Sequence, residues 1–297
     1  MTNLLSHAPR YPDLAAALSA NQAKIDASPA SDAEKAELRA LLGTLAGTPF
    51  WAYLIVNGGL NGDWTDYMIN RYRNDRSIAG LERFFTLPLQ EATRQRDAHF
   101  RTALIQHLKP GVRIASIPCG FMRDVLSLPF PEGSAFTLDG YDLDEAALEG
   151  ARALAAQYGV SAHCHFAQVD AWELGATAAA RYDICVSNGL NIYVAEPERR
   201  VALYRSFQEM LMSGGILITS ALTWPPGAPK PSEWALDKVD MAGLMLTQRI
   251  YGMIEPRWSS FCSTAETISQ FEAAGFADIS VIPDTANMMP TFIARKA

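Results

Sequence analysis

A chain of 297 residues, 49% apolar and 19% charged, has the make-up of one large globular domain or two small ones. That excludes a disordered chain, a collagen-like fibre and a small disulfide scaffold. With 25 basic and 32 acidic residues the net charge is −7, which argues against nucleic-acid backbone binding as the main role. The N-terminal segment carries His7, Arg10 and Asp13 and no continuous apolar run, so no signal peptide is expected. The longest apolar run, residues 50–56, is far shorter than the roughly 18 residues that span a membrane. Cys119, Cys164, Cys185 and Cys262 fall at no metal-ligand spacing and read as reduced thiols of a cytoplasmic protein.

Up to residue 88 the pattern is helical. Ser31 and Glu34 make a capping box, and Leu38, Leu41, Leu42 and Leu45 follow at helical spacing. Residues 50–72 are rich in aromatics and are broken by Gly58, Gly59 and Gly62. A helix is predicted over residues 89–108, stopped by Pro110-Gly111. From there strand-like runs (112–117, 136–141, 162–166, 182–186 and 216–220) alternate with helical segments. Leu148, Ala151, Ala155 and Tyr158 line one face of the second helical segment. The fourth is predicted to begin at Pro197 and end at Gly214-Gly215. A capped helix (Ser263, Glu266, then Ile268 to Ala274) leads to strands 279–282 and 291–294, expected as an antiparallel pair at a sheet edge. The expectation is an α/β fold: an N-terminal helical cap over residues 1–88, and a mostly parallel sheet with helices on both faces over 89–297.

Open α/β sheets bind ligands outside the carboxyl ends of their strands. The candidate residues are therefore those just after each strand. After the first come Ser116, Pro118, Gly120 and Asp124. Gly120 allows close backbone approach, but a single glycine is a poor dinucleotide fingerprint. After the second come Asp142 and Leu143, with Asp142 placed to grip a ribose diol. After the third come Asp170, Ala171 and Trp172, an acid beside an aromatic, suited to an adenine amino group and its face. Asn188, Asn191 and Tyr193 follow the fourth, and Ser220 the fifth.

This order resembles the class I S-adenosylmethionine-dependent methyltransferases over roughly residues 90–297. The resemblance implies a Rossmann-like seven-stranded sheet with an antiparallel terminal strand and S-adenosylmethionine as cofactor. The family's first loop usually reads as an acid followed by G-x-G-x-G. Here Ser116, Pro118 and Met122 depart from it, and only Gly120 fits. Asp142 matches the ribose-binding acid, and Asp170-Ala171 the adenine-binding pair. With Ser116 at the acid's place, the cofactor's ammonium loses a partner, or Asp124 supplies that charge from the next helix. The Asn188 to Tyr193 segment is similar to the N-P-P-Y loop of amino-group methyltransferases without its prolines. Its alternative is a tight turn with Tyr193 in the core.

Trp64, Tyr67 and Arg71 are candidates for a lid over the cofactor, or for part of a packed helical core. His163 and His165 flank Cys164 on the third strand, and the i, i+2 spacing puts both rings on one face as a metal pair would need; no further ligands lie nearby in sequence, so a pair of strand-surface histidines and no metal are expected. The resemblance implies methyl transfer to an amine, hydroxyl or carbon of a small molecule, with Tyr193, Asn191 and Ser220 at the reacting centre. A second reading is the azetidine-2-carboxylate synthase branch, in which the cofactor's own α-amine closes a ring and methylthioadenosine leaves. A third is a non-catalytic S-adenosylmethionine-binding protein. Neither a membrane nor nucleic acid is expected as a partner, and oligomeric state is left open.

Overall fold

The computed structural model describes residues 5–258 and 260–297; residues 1–4 and Ser259 lie outside them. In chain order the helices are α1 (Leu14–Ala27), α2 (Asp32–Ala46), α3 (Pro49–Asn57), α4 (Gly62–Asp66), α5 (Pro88–Gln106), α6 (Arg123–Leu126), α7 (Glu145–Gln157), α8 (Leu174–Thr177), α9 (Pro197–Met210), α10 (Met241–Ile254) and α11 (Thr264–Ala273). The strands are β1 (Arg113–Ser116), β2 (Thr137–Asp142), β3 (Cys164–Gln168), β4 (Tyr182–Ser187), β5 (Leu211–Ser220), β6 (Phe276–Ile282) and β7 (Thr291–Lys296). Among the described residues, no single helix is long and apolar enough to cross a membrane.

The chain divides into two units. The first takes the described residues up to Gln90 together with Val239–Trp258. It is helical, and its core holds Leu42, Leu45, Phe50, Trp51, Phe84 and Phe85. Ser31 and Glu34 form the capping box that starts α2, so two otherwise orphaned backbone N–H groups are satisfied. The expected single boundary after residue 88 is corrected here. Ile250, Met253 and Ile254 of α10 belong to this helical core, because their side chains fill the apolar faces of the N-terminal helices.

The second unit takes Glu91–Lys238 and residues 260–297. Its seven strands run in the order β3-β2-β1-β4-β5-β7-β6. The first five are parallel, and β7 lies antiparallel between β5 and β6. Alternate residues serve the two faces, as the pleat requires. Ile114, Ile184, Val186, Ile216 and Ile218 pack with Phe100 and Leu104 of α5 and Leu148, Ala151 and Leu154 of α7. Ala115, Cys185 and Leu217 pack on the other side with Leu203 and Phe207 of α9 and Phe271 of α11.

Three local expectations change. The helix from Pro197 ends at Met210, not at the glycine pair, and Leu211 already pairs with Tyr182. Gly214 and Gly215 sit in the irregular register before Ile216 pairs with Ile184. Gly214 takes φ +73 there, so the pair makes a bulge in β5 instead of a helix stop. Tyr158 caps the end of α7 and is exposed; the buried face of the helix is made by Ala147, Leu148, Ala151, Leu154 and Ala155. His163 lies in a turn before β3, stacked on Phe136, and shares no strand face with His165.

Candidate active site

β1 lies between β2 and β4, and the order of winding reverses there. The carboxyl ends of β1 and β4 therefore flank the switch point at which open α/β sheets hold ligands. After β1, the Ile117 N–H donates to the Val186 carbonyl and the Cys119 N–H to the Tyr141 carbonyl, so the loop continues the sheet on both sides. Gly120 then turns at φ +50. Its N–H donates to Asp142 Oδ2 at 2.9 Å, and the Asp144 N–H donates to Asp142 Oδ1 at 3.0 Å. One carboxylate thus ties the first loop to the second. Ser116 is buried at the end of β1, with Pro118 half-buried after it. The half-buried Leu143 accepts a bond at its carbonyl from the Gln168 amide. Burial, with Asp142 and Asp124 nearby, keeps the Cys119 thiol protonated.

After β3, Asp170 accepts from the Trp172 N–H at 3.1 Å and caps the turn Ala171–Glu173. Ala171 is buried. Trp172 is 36% exposed. The Arg199 guanidinium lies 5.1 Å from its ring centroid, so one face of the indole is already covered.

After β4 the chain runs through Asn188 and Gly189 into a turn, Asn191–Tyr193. Arg200 closes the far end by donating to the Val194 and Ala195 carbonyls. Asn191 is 4% exposed, and its amide donates to Tyr204 Oη at 2.9 Å and to the Ser220 carbonyl at 2.8 Å. Both amide hydrogens are committed to holding the loop against α9 and β5, which leaves Oδ1 as its unpaired atom. Asn188 Oδ1 and Asn191 Oδ1 are buried without a partner among the described residues, as is Ser220 Oγ. Such atoms are costly to leave unpaired. Tyr193 is half-buried at the end of the same turn.

One residue of α5 completes this group beside Asp124 of α6, and it did not follow from reading the strand ends. Arg96 is 5% exposed, its Nε is buried without a partner, and a Cβ on Gly189 would lie 3.6 Å from its Nη1. Burial lowers its pKa to about 10, against the opposing pull of Asp97, Tyr193 and Asp124. Asp124 is 8% exposed, and its pKa is pushed up to about 7 by burial and then by the charge of Asp97. A signal for Arg96 exists in the sequence. It shares the i, i+4, i+7 stripe of Ala92, Phe100 and Ala103, which places a charge among buried apolar residues.

Trp64, Tyr67 and Arg71 belong to the helical unit. Trp64 and Tyr67 meet edge to face at 5.3 Å, and Arg71 pairs with Asp63 at 2.5 Å and Asp66 at 3.0 Å. With Phe50, Asp75 and others they line a cavity of 150 Å3. The Tyr67 hydroxyl donates to Asp75 at 2.7 Å.

No family model matches the sequence. No curated protein matches it either. A solved structure described as a possible exported protein from Bordetella parapertussis is 37% identical, with 100% of this chain and 99% of that one covered and a TM-score of 0.91. The CurJ carbon methyltransferase is similar at TM-score 0.54 and 12% identity, covering 94% of this chain and 70% of that one. The CMeT domain of the citrinin polyketide synthase is similar at TM-score 0.53 and 14% identity, covering 90% and 70%. At such identities the last two speak to the fold.

Proposed function

This chain belongs to the same family as the Bordetella parapertussis protein, and we propose from its class I methyltransferase fold that it binds S-adenosylmethionine. Its reaction in this reading is methyl transfer to an amine or another nucleophile of a small molecule. The observation that carries the reading is the Asp142 carboxylate, fixed by the Gly120 and Asp144 N–H groups at the switch point. An acid held there suits a ribose diol, and Gly120 lets a ligand come close to the backbone. One strand further, Asp170 and Ala171 suit the adenine edge.

When bound, the cofactor supplies a methyl group activated by a sulfonium. The chain's own residues then act by positioning, which is where most of the rate of an in-line displacement arises. Asn188 Oδ1 and Asn191 Oδ1 offer acceptors to an incoming N–H donor, and Tyr193 offers an aromatic face to developing or resident positive charge. The net charge of −7 supports a small molecule over nucleic acid as partner. Four unpaired thiols support a reducing, cytoplasmic setting.

A second reading is favoured by one observation. Ser116 stands where the family carries an acid, and Asp124 is half-protonated near neutrality. An amine partnered by these groups alone gives up its proton more readily. That suits conversion of S-adenosylmethionine itself to azetidine-2-carboxylate with loss of methylthioadenosine. One experiment separates the readings. Purified protein is incubated with S-adenosylmethionine alone and then with small amines, and products are identified by mass spectrometry. S-adenosylhomocysteine formed only with an amine supports methyl transfer. Methylthioadenosine with azetidine-2-carboxylate from the cofactor alone establishes cyclisation. Binding without turnover in either case points to a non-catalytic binding protein.

A further inference from the structure

Arg96 is a buried cation that makes no salt bridge among the described residues, and its Nε has no partner. A pKa of about 10 leaves it charged at neutral pH. Asp97, Tyr193 and Asp124 offset only part of the cost of burying it, and a buried charge without a bonded partner is expensive to keep. Its surroundings are the two loops of the switch point. Gly189 and Tyr193 come from the loop after β4, and Asp124 from the segment after β1. The planar guanidinium matches a carboxylate, to which it can donate two parallel bonds. Asp124 supplies an acidic group beside it, and Tyr193 a ring and hydroxyl.

We propose that Arg96 is the carboxylate-binding residue of this crevice and that, with Asp124, it selects ligands bearing an α-amino-carboxylate head group. The proposal rests on the cofactor reading above and deepens it. Two sources supply such a head group: the amino-acid tail of the cofactor, or a free amino acid serving as acceptor. Nothing in the strand-end motifs provides a cation for either. Arg96 arrives from α5, outside those motifs.

The test is calorimetric titration of the full-length protein and of Arg96→Gln with two compounds. S-adenosylhomocysteine carries the amino-acid tail, and methylthioadenosine lacks it. If Arg96 reads the tail, the wild type prefers S-adenosylhomocysteine by 100-fold or more. Arg96→Gln then loses at least 30-fold on that compound and under 3-fold on methylthioadenosine, whose unchanged affinity also reports an intact fold. If Arg96 reads an acceptor, both adenosyl compounds bind the two proteins alike. In that case L-alanine, L-glutamate or L-lysine binds the S-adenosylhomocysteine-saturated wild type and not the variant. Should the glutamine variant fail to fold, Arg96→Lys keeps the charge without the planar fork and is expected to lose about tenfold in the same arm. Binding of methylthioadenosine with no tail preference, no amino-acid binding and no effect at Arg96 overturns this proposal alone. Failure of the wild type to bind either adenosyl compound overturns the cofactor reading and this proposal with it.

Discussion

Asp124 is buried at the first turn of α6, where its own N–H and that of Val125 donate to its carboxylate. Those bonds favour the charged form, yet burial and the charge of Asp97 prevail and hold the proton to about pH 7. The unfolded chain releases the same proton near 3.8, the ordinary value. The stability that goes with the bound proton is complete below pH 3.8 and is lost progressively as pH rises to 7. By pH 8 the loss reaches about 4 kcal/mol at most, for a shift of about three units. Asp124→Asn removes this dependence while keeping an acceptor for the backbone N–H groups. Urea unfolding is expected to show the variant gaining on the wild type at pH 8 and not at pH 4. Equal differences at the two pH values contradict the assignment. The acids and the arginine of this crevice differ in how far the sequence reveals them. Asp142 and Asp170 were legible because each follows a strand, and the fold class alone dictates where strand ends go. Arg96 and Asp97 were not, because their importance depends on α5 lying against the switch point. Only the break in its apolar stripe hints at this.

At the scale of elements, α7 and the first loop meet through a glycine. A Cβ at Gly150 would lie 2.1 Å from the Phe121 ring, and Phe121 directly follows the Gly120 that donates to Asp142. In an open helix Gly→Ala gains up to about 1 kcal/mol. Gly43 of α2 has nothing within 4 Å of its Cβ position, so Gly43→Ala is expected to show that gain. At Gly150 the contact overrides the propensity, because the ring is packed against the core between the sheet and α7. Gly150→Ala is expected to lower the melting temperature and to weaken S-adenosylhomocysteine binding together. An unperturbed affinity would show that Phe121 moves without moving Gly120. Elements with strong local signals, such as the capped helices α2 and α11, were readable directly. The Gly214-Gly215 pair was misread, because a glycine pair after a helical run serves a helix end and a strand bulge equally well. The register between β4 and β5, a tertiary property, decides which.

On the scale of the whole molecule, the chain leaves the sheet unit after Lys238, makes α10 within the helical unit, and returns. A reading by composition draws one boundary near residue 88, because α10 looks like any other amphipathic helix between strands. Its apolar face is matched to Leu42, Leu45, Trp51 and Phe85, which lie some 200 residues earlier in the chain, and no local pattern reports that. The consequence is testable by truncation. A fragment beginning at residue 89 retains all seven strands and every strand-end residue of the crevice. It strips the covering from Ile250, Met253 and Ile254, which are buried with the N-terminal helices in the full chain. Each of these buried side chains contributes roughly 1.5–3 kcal/mol when removed from water. Three exposed on one helix make a patch of the kind that drives association. The fragment is therefore expected to bind a hydrophobic dye and to aggregate at concentrations where the full chain does not. Substituting the three residues with Thr, Gln and Thr in the fragment should suppress both effects, because the sheet has its own two cores. A fragment that stays monomeric and dye-free with α10 unaltered would mean that α10 finds another cover, and that the helical unit is dispensable to its packing.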